Sequence, residues 1–385
     1  MTRTTGRGAS LTRERWIRLL GADPREWLMD SADPAAVWMT LSGLMGRPES
    51  DADVRAAREA VLRNAGTQDL INRLPDWESD LDVSGHNSPQ YAPNLLLLLS
   101  QMGVRGGDDD RVERIVDQML AHQDGDSRFH SFGRSGHGSI GRLPEPAWGG
   151  LLCDSHAVLE VLIRFGRAGD PRTRAGMARM VQDLTNTAQG TAWPCRPHSI
   201  SGFRGPGRKA DFCPQVTLEA LRALARLPGE ATPPATADAV RTVVAAWRRR
   251  GSEKPYMFGH GYRFKTVKWP AFWYDVHAVL DSVADYPEAW ASATDGHETR
   301  QAIAEMAACL IAYNFGPDGR VIPRSCYKGF EAFSFGQKKR PSAFATAKLA
   351  GVLKRLEPLA DSIAAVDVRS LTSSKGGSGT AVPPR

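Results

Sequence analysis

Residues 209–216 read Lys-Ala-Asp-Phe-Cys-Pro-Gln-Val and open an apolar helix. A carboxylate and a thiol, Asp211 and Cys213, stand two residues apart where this helix is predicted to begin. A second helix start, Phe-Trp-Tyr-Asp-Val-His, occupies residues 272–277 and ends on His277, 64 residues after Cys213. Because the chain repeats with nearly this period, we expect the carboxylate, the thiol and the imidazole on successive units of one repeating architecture.

Apolar helices recur at almost constant spacing. Their predicted starts are separated by 62, 60, 62 and 67 residues, and these starts lie near Tyr91, Cys153, Cys213, Asp275 and Ser342. More polar helices are predicted between them, at residues 110–122, 170–185, 236–249 and 298–314. Stacked pairs of this kind form an inner apolar and an outer amphipathic layer. The pattern therefore predicts an all-α fold, an (α/α)6-type toroid of helical hairpins if the pairs close into a ring.

The same pattern divides the chain into four parts. Residues 1–11 and 366–385 are polar and rich in small side chains, so they are predicted to be disordered. Residues 12–88 are predicted to form an N-terminal helical lead-in or cap, and residues 89–358 the toroid repeats. The long, aromatic-rich linkers of the repeats all lead to the N-terminal ends of inner helices. A binding or catalytic site is expected at that end.

Composition limits the possible classes of protein. The 385 residues, 42% of them hydrophobic, are enough to bury a large core. The net charge of +6 permits an acidic ligand, but the basic residues form no stripe with interleaved aromatics, so nucleic-acid binding is not expected. The sequence contains neither a bilayer-spanning apolar run nor a signal peptide, and a cytoplasmic location is expected. Five unevenly spread cysteines favour free thiols or metal ligands over a disulfide framework.

Asp211, Cys213 and His277 are candidate metal ligands. Catalytic zinc is held by three side chains of these types and keeps one position open. Each candidate lies in the first turn of a predicted inner helix, and such helix ends converge in a toroid. Cys153 and His156 hold the same place one repeat earlier. The alternative interpretation makes the two cysteines small buried hydrophobes and Asp211 a helix N-cap.

The region from about 90 to 357 resembles the squalene cyclase and protein prenyltransferase superfamily, whose members are (α/α)6 toroids. Gln-Asp-Gly-Asp-Ser-Arg-Phe at 123–129 and Gly-Pro-Asp-Gly-Arg-Val at 316–321 look like degenerate forms of its Gln-x-x-x-Gly-x-Trp repeat. The β subunit of protein prenyltransferases holds zinc through an Asp-x-Cys at one inner-helix start and a His at the next. Asp211, Cys213 and His277 are similar in type, order and approximate spacing, so the resemblance implies a Zn²⁺ cofactor.

The resemblance also implies substrate-binding residues. That family grips a diphosphate with basic residues just before the Asp, and three residues match by position: Arg204, Arg208 and Lys209. The stretch Gly-Gly-Leu-Leu-Cys at 149–153 is similar to its Gly-Gly-x-x-x-Cys, one residue shorter. Trp148 stands where those enzymes have a His before the glycines.

Further candidates flank His277. Trp269, Trp273 and Tyr274 can wall an apolar cavity and stabilise a cation. Asp275 is the candidate acid/base or supporting group of the metal site. Cys153 is a second candidate catalytic residue, since it lies one repeat before Cys213.

Three functions are compatible with these residues. The first is a zinc-dependent toroid enzyme that transfers or adds a group at a thiol or similar nucleophile, with an apolar or isoprenoid-like substrate. Lanthionine cyclases are a related possibility, and their two-cysteine site would use Cys153 and Cys213. The second is a non-catalytic toroidal binding protein for a lipid or peptide. The third is a divergent terpenoid cyclase, because the usual Asp-x-Asp-Asp motif does not occur here. The expected partner is a small-molecule or peptide substrate, with a diphosphate among the candidates.

Overall fold

The structure is a computed structural model. It describes residues 14–79, 88–134, 142–227, 233–253, 255, 258–259, 261–291 and 296–372. Helix accounts for 53% of the structure and strand for 7%, which confirms the predicted all-α class.

Sixteen α-helices occur in the described residues. In chain order they are α1 (Arg15–Leu20), α2 (Arg25–Met29), α3 (Pro34–Met39), α4 (Ala52–Arg63), α5 (Ala65–Asn72), α6 (Ala92–Met102), α7 (Asp110–Ala121), α8 (Leu152–Arg164), α9 (Pro171–Gln182), α10 (Pro214–Leu224), α11 (Pro234–Arg248), α12 (Gly261–Lys265), α13 (Val276–Val283), α14 (His297–Asn314), α15 (Ala343–Arg355) and α16 (Ala360–Ala364). A π-helical turn, Thr40–Leu44, continues α3.

Short strands form three two-stranded pairs in the described part of the chain. They are β1 (Ser131–Gly133), β2 (Ala147–Gly149), β3 (Thr185–Thr187), β4 (Gly190–Ala192), β5 (Lys268–Trp269) and β6 (Ser325–Cys326). The pairs β1–β2 and β3–β4 are antiparallel, whereas β5 and β6 run parallel. These pairs occupy the linkers that precede the apolar helices.

The predicted starts of the apolar helices agree with the structure to within one residue. They correspond to α6, α8, α10, α13 and α15. Most side chains of α6, α8 and α10 are buried, as expected for helices enclosed on all sides. Local signals set several of these starts: Ser342 Oγ accepts from the Ala345 N–H at 3.1 Å, and Asp275 Oδ1 accepts from the Ala278 N–H at 3.0 Å.

Six helices contact one another in a closed order. Helix α3 packs on α6, α6 on α8, α8 on α10, α10 on α13, α13 on α15, and α15 again on α3. More polar helices form a second set of contacts, with α4, α9, α11 and α14 on α3, α8, α10 and α13 respectively. The N-terminal residues expected to be a lead-in thus include α3, which takes a place in this closed order.

The C-terminal segment contacts the core as well. Val366, Val368 and Leu371 pack against the main hydrophobic cluster, so this part of the tail predicted to be disordered is in contact with the fold. The remaining residues of the predicted disordered segments, 1–11 and 373–385, lie outside the described residues. In the part of the chain that the structure describes, every helix is too short or too polar to cross a membrane.

Candidate functional site

Ion pairs join neighbouring helices in the closed order. Glu160 of α8 is 1% exposed and contacts Arg222 of α10 at 3.0 Å and Arg164 at 2.8 Å. Arg226, which follows α10, lies 2.7 Å from Asp285, which follows α13. These pairs link α8 to α10 and α10 to α13 through charged side chains.

Arg355 of α15 completes the series. Its guanidinium contacts Asp285 at 2.6 Å and also contacts Asp281 of α13. We call these residues the interior ion-pair cluster: Glu160, Arg164, Arg222, Arg226, Asp281, Asp285 and Arg355. Helices α8, α10, α13 and α15 all contribute to it, so charged side chains join these four helices.

Three cysteines lie close together at the N-terminal ends of α8 and α10. Cys153 is in the first turn of α8, Cys213 caps α10, and Cys195 lies on the loop that follows β4. Cys195 is close enough to raise the pKa of both Cys153 and Cys213, and Cys213 in turn lowers the pKa of Cys195. We call Cys153, Cys195 and Cys213 the thiol cluster.

Backbone pairing brings Cys195 next to Cys213. Pro194 and Phe212 form an isolated antiparallel bridge, and the Cys213 N–H donates to the Trp193 carbonyl at 2.8 Å. Trp193 is fully buried and donates its indole N–H to the Met180 carbonyl at 2.7 Å, which anchors the loop. The position of Cys195 is therefore fixed by buried contacts on both sides.

The environment of Cys195 stabilises its thiolate. A hydrogen bond from the Cys213 thiol is the largest cause, the Gly205 N–H donates to Sγ at 3.3 Å, and Arg204 adds positive charge; together they lower the pKa of Cys195 to about 6. The pKa of Cys213 is correspondingly raised, first by this hydrogen bond and then by burial. The contacts thus favour the thiolate at Cys195 and the protonated thiol at Cys213.

Two buried acids adjoin the thiol cluster. Asp154 accepts hydrogen bonds from the Tyr91 hydroxyl at 3.2 Å and the Leu151 N–H at 2.8 Å, and burial raises its pKa. Burial also raises the pKa of Glu219 to about 8; its Oε1 accepts from Gln215 at 2.5 Å, and its Oε2 has no described partner. The negative charges of both acids raise the pKa of Cys153. Glu219, whose pKa is raised to about 8, is therefore an acid near the thiol cluster that keeps its proton at neutral pH.

The structure does not bring the three predicted zinc ligands together. Asp211 accepts from Gln189 Nε2 and from Arg208 Nε, each at 2.8 Å. Cys213 faces Cys195, while His277 lies near the cations Lys348 and Arg355, which oppose a metal ion. No group of three or more metal-ligating side chains among the described residues is arranged to hold a metal. The geometry gives the Asp-Cys-His site no support, and zinc stays a prediction.

The predicted substrate-binding residues near α8 and α10 have separate surroundings. Trp148 stacks on His122 with ring centroids 3.4 Å apart. Arg204 donates to the Gly207 carbonyl at 2.8 Å and lies beside Cys195. Arg208 pairs with Asp211, and Lys209 is exposed. Of these residues, Arg204 is the one that adjoins the thiol cluster.

The aromatic residues before α13 are placed near His277. Trp269 is 1% exposed, and its ring centroid lies 6.4 Å from that of His277. Trp273 and Tyr274 contact each other, with centroids 4.3 Å apart. Burial raises the pKa of Asp275 to about 7, opposed by the hydrogen bond from Ala278 N–H, and Asp275 is the N-cap of α13.

Sequence reasoning missed three side chains of these sites. Cys195 precedes an irregular loop without helical periodicity, although the buried Trp193-Pro194 before it marks an anchored segment. Glu219 and Lys348 lie in the middle of apolar helices, and a charged residue at such a position is the signal that was available.

A groove also opens on the surface, between α1, α14 and α16. Its volume is about 360 Å³, and its lining includes Arg18, Ile311 and Val366. None of the predicted site residues lines it, so it is separate from the thiol cluster.

Comparison with known proteins adds no relative: no family, no curated protein and no solved structure matches this chain.

Proposed function

We propose that the paired helices form an (α/α)6 toroid. Support comes from the closed order of contacts through α3, α6, α8, α10, α13 and α15, and from the polar helices packed on several of them. In such a ring the N-terminal ends of α8 and α10 open at one end of the central space, with the thiol cluster at the entrance. The interior ion-pair cluster then lies deeper, towards the C-terminal ends.

We propose that the protein is an enzyme that transfers a group through a cysteine thiolate, with Cys195 as the nucleophile. The observation that carries this proposal is the set of contacts that stabilises its negative charge: the Cys213 thiol, the Gly205 N–H at 3.3 Å and Arg204. A structural cysteine in an apolar core has the opposite property, a raised pKa, as Cys309 has.

The reaction class follows from these groups. Sγ of Cys195 attacks an electrophilic carbon of the substrate, a carbon–sulfur bond forms, and the leaving group departs with its bonding electrons. Glu219, which keeps its proton because it is buried, gives the leaving group a proton. An acceptor nucleophile then displaces Cys195 and regenerates the thiolate. Arg204 can neutralise an anionic leaving group.

Group transfer at sulfur was also predicted from the sequence. Two other parts of that prediction, the zinc ion and the isoprenoid-like substrate, are not included in the proposal. Zinc is not used, because the three predicted ligands are apart. An isoprenoid-like substrate is not favoured either, because in the proposed ring the ionised groups of the interior ion-pair cluster would lie between the inner helices.

The test is the pH dependence of alkylation at each cysteine. Wild-type protein is treated with iodoacetamide between pH 5 and 10, and the modified peptides are quantified by mass spectrometry. We expect Cys195 to react with a midpoint near pH 6. Cys326 is the internal control, since it is also half-buried but its pKa is raised by burial. A trapping experiment with electrophilic esters and alkyl halides then identifies the group that Cys195 accepts.

Two results would overturn the proposal. One is a midpoint for Cys195 near that of Cys326. The other is a low midpoint for Cys195 together with ester-derived adducts that no added acceptor nucleophile displaces, which would instead favour a toroidal binding protein with a structural thiolate.

A further inference from the structure

Hydrogen-bond donors without partners gather around the start of α13. Both ring nitrogens of His277 are buried and lack a partner among the described residues, and so does Nε1 of Trp269. The two rings have centroids 6.4 Å apart. His277 is 3% exposed and Trp269 is 1% exposed. One nitrogen of a neutral imidazole and the indole nitrogen carry N–H groups. Since buried donors in native structures are almost always satisfied, these two donors in one place indicate an acceptor that the protein itself does not supply.

A cation without an acid partner lies at the same place. Lys348 is in the second turn of α15, next to α13, and its charge is the strongest one acting on His277. Arg164, Arg222, Arg226 and Arg355 each lie within ion-pair distance of a carboxylate. No carboxylate of the described residues lies within that distance of Lys348, and Asp281 is the acid whose charge acts most strongly on it.

The two neighbouring acids already have other partners. Asp281 is paired with Arg355, and Asp275 caps α13 through the Ala278 N–H at 3.0 Å. The donors that remain are therefore one ammonium, an imidazole and an indole. Burial lowers the pKa of His277 to about 3 and that of Lys348 to about 8, so at pH 6.5 the imidazole is uncharged and Lys348 supplies the positive charge.

We propose that Trp269, His277 and Lys348 form a binding site for a carboxylate group carried by a small molecule. A carboxylate has two acceptor oxygens and one negative charge, which matches two neutral donors and one ammonium. A dianion such as sulfate would leave an uncompensated buried charge, which is costly. The site is independent of the thiol cluster and does not rest on the proposed reaction of Cys195.

The site is tested by titrating the full-length protein with sodium acetate at pH 6.5. Nitrogen-15 NMR reports on the indole N–H of Trp269, which is assigned with Trp269→Phe. We expect saturable shifts of this signal. Lys348→Met and His277→Phe are each expected to weaken acetate binding at least tenfold, whereas Lys348→Arg keeps it within about threefold. Lys339→Met removes an equal charge from an exposed loop and leaves binding unchanged.

Specific outcomes would overturn this proposal. Acetate that produces no saturable shift means that the donors hold water only. Equal binding by wild type and Lys348→Met means that the ammonium takes no part. Sulfate that binds as tightly as acetate, or more tightly, rules out selection for a singly charged group. Because none of these readouts involves alkylation, failure here leaves the proposal for Cys195 intact.

Discussion

Gly205 donates its backbone N–H to Sγ of Cys195 across 3.3 Å, so a loop amide is a fixed partner of this sulfur. The Cys213 thiol is the other hydrogen-bond donor to it. An amide cannot be removed by changing a side chain, whereas the thiol can. The two contributions to the low pKa of Cys195 can therefore be separated by substitution at Cys213.

We expect Cys213→Ala to slow alkylation of Cys195 at pH 7. Losing the donor raises the pKa of Cys195 from about 6 towards that of a free thiol, so the thiolate fraction at pH 7 falls and the rate falls about threefold to tenfold. Cys213→Ser is the matched control, since its hydroxyl can still donate. An alanine variant that reacts as fast as the wild type would show that Gly205 and Arg204 suffice.

Glu219→Gln should change how stability depends on pH. Because the pKa of Glu219 is raised to about 8 in the folded state, folding favours its protonated form, and the wild type loses this stability as the pH rises from about 4.5 to 8. The neutral variant avoids the loss. We expect equal free energies of unfolding at pH 5 and an advantage of about 2 to 5 kcal/mol for the variant at pH 9.

Urea unfolding at several pH values measures this difference. Glu288→Gln, at an exposed position, serves as the control and should follow the wild type throughout. A difference for Glu219→Gln that stays constant with pH would mean that Glu219 is ionised in the folded protein.

Glu160→Ala should be strongly destabilising. Glu160 is the carboxylate that neutralises Arg164 and Arg222, and its side chain is 1% exposed. Its removal leaves two enclosed guanidinium groups without that partner, which costs about 3 to 5 kcal/mol. Asp361→Ala is the matched control. The Asp361 side chain pairs with Arg15 and is 78% exposed, so a loss of less than about 1 kcal/mol in the free energy of unfolding is expected. Similar losses of stability in both variants would contradict the inference that removing Glu160 leaves buried charges uncompensated.

Asp211→Ala distinguishes a structural role from the predicted metal ligand. Asp211 accepts from Gln189, whose Oε1 accepts from the Phe212 N–H at 3.1 Å, so the pair ties the start of α10 to the loop between β3 and β4. We expect a loss of about 1 to 3 kcal/mol and no change in metal content. The protein is purified without chelators or a His tag for both measurements. About one zinc per chain in the wild type, lost in Asp211→Ala and Cys213→Ala, would instead establish the zinc site.

Local sequence pattern was enough to place most helices. The apolar runs after Tyr91, Cys153 and Cys213 begin where α6, α8 and α10 begin, because continuous burial demands such runs and residues at the helix ends mark the boundaries. Short elements such as α2, α12 and α16 were not predicted, since five residues carry too little periodicity to be recognised. Helix α3 lies within the predicted helical lead-in, but no local feature shows that it contacts both α6 and α15.

The candidate sites depend on contacts between distant parts of the chain. Cys195 and Cys213 meet because Pro194 pairs with Phe212 across a long irregular loop, and such a pairing has no periodic signature. His277 was predicted as a zinc ligand from its place at a helix start, but the charge that acts most strongly on it is that of Lys348, on a helix that begins 66 residues later. Helical periodicity specifies which face of a helix is buried. Which other helix meets that face is decided by the packing of the whole chain. That packing also determines which side chains surround each charged group, and these set its pKa and its possible partners.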